Sequence, residues 1–201
     1  MENKIVFAII AGTLVLVLGI SLLLGKSIVT DTSSLIRENS HFLGSKDAKV
    51  TIVEFSDYEC PACKNIKPIV DEVVKNYGDK IRFVYRQFPL PAHKNALLAA
   101  QAAEAAGVQG KFWEMHDKLF AISPDLSRDQ IIKAAQELNL NLEQFNKDLD
   151  SDTVKQIIVT DQADGAKAGL QVTPTFFING TKFDGGLTLE EFKKEIDSRL
   201  K

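Results

Sequence analysis

Residues 49–63 read KVTIVEFSDYECPAC, and this stretch decides the fold. Its first part, Lys49–Phe55, is a short run rich in β-branched residues, which is typical of a buried strand. Cys60 then begins a helical pattern that continues to about Tyr77. Pro61 stands in the first turn, where a helix does not need the N–H that proline lacks. The stretch therefore predicts a strand, a tight loop and a helix that begins at a cysteine.

Pro61 and Ala62 separate the only two cysteines of the chain, Cys60 and Cys63. A disulfide across so short a loop constrains the unfolded chain little, so the pair indicates redox chemistry rather than a structural bridge. At a helix N-terminus, the Cys60 sulfur meets free backbone N–H groups and the positive end of the helix dipole, which favour the thiolate. We expect Cys60 to be the nucleophile and the shielded Cys63 to resolve a mixed disulfide. Asp57 and Glu59 should oppose the thiolate only modestly, because both are expected to be exposed.

Other uses of a C-x-x-C motif fit the sequence less well. A structural zinc site needs four ligands, and the candidates beyond the cysteines, His41, His93 and His116, are isolated from one another. Haem attachment needs a histidine directly after the second cysteine, where this chain has Lys64. We therefore expect no metal and no cofactor apart from the Cys60–Cys63 disulfide itself.

The rest of the chain predicts an α/β domain with a block of helices in its middle. The predicted elements are a strand at Ile81–Phe88, helices at Ala96–Ala106, Lys111–Phe120, Asp129–Leu138, Leu142–Leu149 and from the Ser151-Asp152 cap to Ala168, hairpin strands at Thr175–Asn179 and Thr181–Asp184, and a final helix at Leu189–Leu200. This order is a βαβ half and a ββα half, separated by a helical insertion at about residues 93–150.

The N-terminal segment is predicted to be a membrane anchor. Ile5–Leu24 contains no charged residue, and twenty helical residues rise about 30 Å, the thickness of the bilayer hydrocarbon. We assign residues 1–26 to a signal anchor, residues 27–45 to a polar linker and residues 46–201 to the domain. A cleaved signal peptide is the alternative, although the run is long for one and no clear cleavage site follows it.

Charge excludes one class of partner but does not orient the anchor. The net charge is −3, and the charged residues are mixed in sign, so the sequence presents no basic face for nucleic acid. The two sides of the predicted anchor carry almost the same positive charge, so the positive-inside rule gives no orientation. The chemistry of the cysteines is the reason for placing the domain outside the cytoplasm, as a single-pass protein of the cell membrane.

Across about residues 40–200 the chain resembles the DsbA-like branch of the thioredoxin superfamily. The motifs are Glu54-Phe55, Cys60-Pro-Ala-Cys63, Pro68, Gln109-Gly-Lys-Phe-Trp-Glu-Met-His116 and Thr173-Pro-Thr-Phe-Phe-Ile-Asn-Gly180. The resemblance implies a thioredoxin-like fold with an inserted helical domain and a cis Thr173–Pro174 bond that faces the cysteines. It implies that Thr173 and Pro174 bind an extended substrate, and that Glu54 lies beneath Cys63 and relays its proton. The residues alone leave Glu54 open as an edge residue or a member of an ion pair.

Several residues depart from the family or fit it only structurally. Pro61-Ala62 lacks the histidine that strongly oxidising members carry before the second cysteine, and Val172 stands where many relatives have glycine. Because potentials in the superfamily span about 150 mV, the potential cannot be assumed from the motif. His93, His116 and Trp113 are expected to cap helices or pack in the core.

The resulting hypothesis is an extracytoplasmic protein-disulfide oxidoreductase. It passes the Cys60–Cys63 disulfide to reduced or misoxidised exported proteins, and the resemblance implies recharging by a DsbB-like, quinone-linked membrane protein. A reductase or isomerase using the same cysteines is the nearest alternative. A binding module or chaperone with an inactive motif is a further one.

Overall fold

The computed structural model describes residues 30–201 of the chain. The predicted anchor at residues 1–26, with its apolar run at 5–24, lies outside the described residues. Within residues 30–201, no helix is both long and apolar enough to cross a membrane.

A mixed five-stranded sheet forms the centre of the described domain. Its strands are β1 (Phe42–Gly44), β2 (Val50–Ser56), β3 (Ile81–Gln87), β4 (Thr175–Ile178) and β5 (Thr181–Lys182), in the spatial order β1-β3-β2-β4-β5. β2 and β3 are parallel, and the other neighbouring strands are antiparallel. The central position of β2 brings its carboxyl end, and the loop that follows it, to the middle of one edge of the domain.

Helices cover both faces of this sheet and form the insertion. They are α1 (Pro61–Tyr77), α2 (Ala96–Val108), α3 (Phe112–Ile122), α4 (Arg128–Glu137), α5 (Leu142–Leu149), α6 (Asp152–Lys167) and α7 (Leu189–Leu200), with 3₁₀ turns at Thr32–Leu35 and Gly78–Lys80. The predicted thioredoxin-like α/β fold with a helical insertion is confirmed, since α2–α5 lie between β3 and α6.

The strand period of two divides the core into two layers. Ile52 of β2 and Phe83 of β3 pack with α1 and the insertion, whereas Val53 and Phe55 pack on the opposite face with Phe177. This alternation follows from strand geometry, in which successive side chains point to opposite faces. It places every second residue of β2, from Ile52 onward, on the face that also holds Cys63.

Residues 30–45 are part of the folded domain, not the linker that the sequence predicted over 27–45. Leu35 is fully buried against β2, and β1 extends the sheet beside β3. The backbone N–H of Thr30 donates to the carbonyl of Gly180 over 2.7 Å. The sequence does not reveal this role, because apolar residues are few in the segment and a three-residue strand is too short to show a period.

A buried charge cluster fixes this segment to the rest of the domain. Arg86 on β3 is fully buried and donates to Asp161 and Asp164 of α6, each over 2.8 Å. Arg37 donates to the same Asp164 from its Nε atom over 2.7 Å. Charges buried this way are tolerated because each one has a hydrogen-bonded partner of opposite sign.

Candidate active site

Cys60 occupies the N-cap position of α1, directly before Pro61 and Ala62 in its first turn. Its backbone N–H donates to the carbonyl of Asp57 over 3.2 Å, so the loop after β2 turns tightly into the helix. Cys60 is 7% exposed and Cys63 is fully buried, and both are free thiols in this structure. The more accessible sulfur is therefore the one at the helix end, as the predicted order of attack requires.

The loop before β4 meets the cysteine directly. The Thr173–Pro174 peptide bond is cis, the geometry expected from the sequence. The Cys60 Sγ atom lies 3.5 Å from the backbone oxygen of Thr173 and donates to it. Val172 beside this loop is 63% exposed, so an apolar side chain stands in solvent next to the thiol. Two segments more than a hundred residues apart in sequence thus form one site.

Glu54 lies inside the domain, on the face of the sheet that holds Cys63. It is 3% exposed, and its register partners are Tyr85 on β3 and Phe176 on β4, so it is not an edge residue. Two groups lower the Glu54 pKa: the Ser56 hydroxyl, by hydrogen bonding, and the charge of Lys67, which is itself paired with Asp71 and Asp117. Burial outweighs both and raises the pKa of Glu54 to about 7.

Burial also raises the pKa of the Cys63 thiol well above its ordinary value, and the charge of Glu54 acts in the same direction. A buried thiol of this kind stays protonated until a nearby group accepts its proton. With its pKa near neutrality, the carboxyl of Glu54 can both accept and release a proton at physiological pH. The arrangement is suited to moving a proton to and from Cys63.

The two acids that precede Cys60 are bound, contrary to the expectation that both are exposed. Asp57 is buried and accepts backbone N–H groups of Glu59 and Leu90, each over 2.8 Å, and its Oδ2 lies 2.7 Å from His93 Nδ1. The half-buried carboxylate of Glu59 accepts the N–H of Asn95 over 2.6 Å. We name this set of contacts the loop clamp, because it joins the cysteine loop to residues 88–95. An aspartate in a loop, whose carboxylate can accept the backbone N–H two residues later, is the sequence signal that could have suggested part of it.

The other conspicuous aromatic and imidazole groups lie in the core, as expected. His116 is buried with its Nδ1 3.2 Å from the Tyr58 hydroxyl, and burial holds its pKa well below the ordinary value, so the ring is neutral. Trp113 packs edge-on against Phe112, with ring centroids 5.1 Å apart. Residues 30–201 contain no cluster of three histidine, cysteine, aspartate or glutamate side chains able to hold a metal ion.

Comparison with known proteins identifies the family. A family model described as thioredoxin matches residues 37–198. The chain belongs to this thioredoxin family. Among solved structures, a thioredoxin-like oxidoreductase from Silicibacter pomeroyi DSS-3 is 30% identical, with a TM-score of 0.74 over 83% of this chain and 95% of the other. BdbD from Bacillus subtilis is 27% identical, with a TM-score of 0.74 over 88% of this chain and 99% of the other.

Curated relatives match the same domain within much longer proteins. A protein named Na(+)/H(+) antiporter NhaA 1 from Salinispora arenicola is 38% identical over 163 residues, which are 80% of this chain and 25% of that protein. The chain thus spans about a quarter of the relative's length, and antiport is not carried over to it.

The family and the paired thiols together define the activity class. This thioredoxin-family protein is a thiol-disulfide oxidoreductase that catalyses thiol-disulfide interchange, and Cys60 and Cys63 are its candidate redox pair.

Proposed function

We propose that the protein is an oxidase that introduces disulfides into exported proteins at the outer side of the cell membrane. The single observation that carries the proposal is the position of the Cys60 sulfur, at the start of α1 and 3.5 Å from the Thr173 carbonyl. A reacting sulfur placed beside a loop that lies outside the strands of the sheet suits an extended peptide as substrate. Residues 5–24 would anchor the domain, and a DsbB-like, quinone-linked membrane protein would reoxidise it.

The proposed reaction is two successive thiol-disulfide exchanges. A substrate thiolate attacks Cys60 of the Cys60–Cys63 disulfide, which forms a substrate–Cys60 bond and releases Cys63 with the electron pair. Cys63 takes a proton from Glu54. A second substrate thiolate then attacks the substrate sulfur, so that a substrate disulfide forms and Cys60 leaves as thiolate. Two electrons pass to the enzyme, and the quinone-linked partner would accept them when the Cys60–Cys63 disulfide forms again.

Separate roles for the two cysteines are tested by two variants. Cys60→Ala should lose all measurable exchange with a reduced peptide, because it cannot form the Cys60–Cys63 disulfide that the peptide thiolate attacks. Cys63→Ala, given a peptide that carries a disulfide, should accumulate a mixed disulfide between Cys60 and the peptide, detectable on a non-reducing gel. The Cys60 thiolate attacks the peptide disulfide, one peptide sulfur leaves as thiolate, and no second enzyme thiol resolves the bond. Retained exchange in Cys60→Ala, or no trapped species in Cys63→Ala, contradicts these roles.

The direction of the reaction is tested by the reduction potential measured against glutathione. We expect a value well above the roughly −270 mV of thioredoxin. A value near that of thioredoxin favours the alternative, a disulfide reductase or isomerase. One observation supports that alternative: Pro61-Ala62 supplies no side-chain donor next to the Cys60 thiolate. A folded protein without exchange activity in either direction would instead indicate a binding module or chaperone.

Sidedness is tested by labelling in intact cells. After mild reduction, a membrane-impermeant thiol reagent should modify Cys60 without lysis, because the proposed domain faces outward. Labelling that appears only after lysis contradicts the proposed location. Cys60→Ala serves as the control for labelling of other proteins.

A further inference from the structure

The face of the sheet that holds Cys63 carries an unusual set of uncommitted hydroxyl groups. Ser56 follows Glu54 by two residues on β2, and Tyr85 is the register partner of Glu54 on β3. Because side chains alternate along strands, Glu54, Ser56 and Tyr85 lie on the same face as Cys63. Ser56 is fully buried and Tyr85 is 2% exposed. Neither hydroxyl makes a hydrogen bond of good geometry among the described residues, although Ser56 lies close enough to Glu54 and Cys63 to lower the pKa of both, and the Tyr85 hydroxyl lies close to that of Tyr58.

Two buried hydroxyls without a well-formed hydrogen bond, on the face of the sheet that holds one buried thiol, call for a physical reason. Buried polar atoms nearly always have a partner, and leaving one without a partner costs free energy. The hydroxyl of Thr173 is also buried without a well-formed hydrogen bond, and it lies close enough to Cys63 to lower the pKa of that thiol. A hydroxyl without a fixed partner can rotate to donate when a charge develops nearby. These groups are therefore available at the place where Cys63 gains and loses negative charge.

The electrostatics of the face agree with this arrangement. Burial raises the Cys63 pKa, whereas the nearby hydroxyls of Ser56 and Thr173 act in the opposite direction. The pKa of Tyr85 is raised well above its ordinary value, first by burial and then by charge on Tyr58, Glu54 and Cys63. Tyr85 thus lies within electrostatic reach of both groups that change protonation, and it stays a neutral donor throughout.

We propose that the hydroxyl groups of Ser56 and Tyr85 donate hydrogen bonds to the Cys63 thiolate while it attacks or leaves the Cys60 sulfur. This inference rests on the proposed function for the roles of the cysteines, but it does not depend on the direction of electron flow. It assigns two strand residues to the step that resolves the mixed disulfide. Glu54 exchanges the proton, and the hydroxyls stabilise the buried charge that exists before the proton arrives or after it has left.

The experiment separates the two steps of oxidation by glutathione disulfide. Reduced enzyme first forms a Cys60–glutathione bond and releases one glutathione. Cys63 thiolate then attacks Cys60, so that the Cys60–Cys63 disulfide forms and the second glutathione leaves. Acid quenching and mass spectrometry measure each rate. Ser56→Ala and Tyr85→Phe should each slow the second step about tenfold, the effect of losing one hydrogen bond to a charged group.

The rate of the first step distinguishes the proposed role from a merely structural one. A substitution that only disturbs packing should slow both steps, whereas the proposed role affects the second step alone. In the Cys63→Ala background only the attack by Cys60 remains, and adding Ser56→Ala or Tyr85→Phe should leave its rate within about twofold of the parent. Equal slowing of both steps, or an unchanged second step in both folded variants, overturns the proposal. Each substitution removes only one oxygen atom. Near-UV circular dichroism identifies a variant that has lost its native packing, and the proposal is then tested with the other variant.

Two distant hydroxyls supply matched controls. Ser198 donates to the Glu195 carbonyl within α7, and the Tyr77 hydroxyl lies 2.8 Å from Asp197, so both are engaged on the far side of the domain. Ser198→Ala and Tyr77→Phe should change neither step. A wild-type enzyme that fails to form the glutathione adduct at all contradicts the proposed function. An adduct that forms and resolves normally in both test variants contradicts only the hydroxyl proposal.

Discussion

Glu54 and Cys63 form a pair of buried ionisable groups whose environments make the charged form costly. A carboxylate on a central strand has little access to water, so burial favours its neutral form and raises its pKa to about 7. The same burial favours the neutral thiol of Cys63. An apolar group at this buried position of β2 would avoid the cost of burying a carboxyl. Glu54 therefore lowers stability, and in the proposed reaction it supplies a proton-transfer group for the resolving thiol.

This cost predicts a pH dependence of stability. Folding raises the Glu54 pKa from 4.5 to about 7, so the folded state binds the proton more tightly than the unfolded state does. The contribution of Glu54 to stability is therefore fully present below about pH 4.5 and is lost as the pH rises to about 7. Between pH 4.5 and 8, Glu54→Gln should lose less stability than the wild type, by up to about 3 kcal/mol.

Urea unfolding of both proteins at several pH values measures this difference. Asp161, whose pKa burial raises to about 6, contributes a similar dependence to both proteins and cancels in the comparison. Parallel stability curves for wild type and Glu54→Gln would show that Glu54 titrates normally. The same variant should also slow the resolution of the glutathione adduct, because Cys63 loses its proton acceptor.

At the scale of elements, regular structure was predictable and the loops were not. The bounds of α5 and α7 agree with the predicted Leu142–Leu149 and Leu189–Leu200, because amphipathic periods and caps are local signals. The contacts of Asp57 with Leu90 and His93 join groups more than thirty residues apart, and no local pattern encodes them. For the same reason Asp57 and Glu59 were expected in solvent. The cysteines were recognisable from spacing alone, whereas Ser56 and Tyr85 needed the strand register to be placed beside them.

The loop clamp predicts a combined effect on stability and rate. Asp57→Ala leaves the part-buried N–H groups of Glu59 and Leu90 without an acceptor, so the free energy of unfolding should fall by roughly 3 kcal/mol. Exchange should also slow about tenfold, because the loop that positions Cys60 is released. Chemical denaturation and peptide oxidation measure the two effects. The exposed Asp47 provides the control, since Asp47→Ala removes the same charge without removing a buried acceptor.

An Asp57→Ala variant as stable as the wild type would mean that the loop clamp contributes nothing to the free energy of unfolding. Wild-type exchange in a destabilised variant would mean that the clamp stabilises the fold but does not position the thiol. His93→Ala removes only one of the three partners of Asp57 and should give a smaller change in both measurements.

At the scale of the whole molecule, the N-terminal segment completes the domain. Leu35 fills the layer of the core opposite Cys63, and Arg37 shares Asp164 with the buried Arg86. The contacts cross from the segment to β3 and to α6, so they join elements distant in sequence. A domain cut at residue 46, as the sequence suggested, would expose the core beneath Leu35 and leave Asp164 with one cationic partner fewer.

This role predicts a large effect of one substitution in a segment expected to be a linker. Leu35→Ala should lower the free energy of unfolding by about 3 kcal/mol, because it leaves a cavity in a closely packed layer. The matched control is Leu187→Ala, since Leu187 is 39% exposed and little burial is lost. Thermal or urea unfolding compares them. If both variants lose an equally small amount of unfolding free energy, the segment is a linker and not part of the core.

The contact of Thr30 with Gly180 limits how far the domain can travel from the bilayer. If the apolar run ends at Leu24, as proposed, residues 25–29 alone connect it to the first residue held by the fold. Five residues span at most about 18 Å even when fully extended. The register of β4 with β2 puts Gly180 at the end of β4 that lies away from Thr173 and Cys60. Such an anchor would therefore hold the domain by the end of the sheet opposite the reactive sulfur, which would face away from the bilayer.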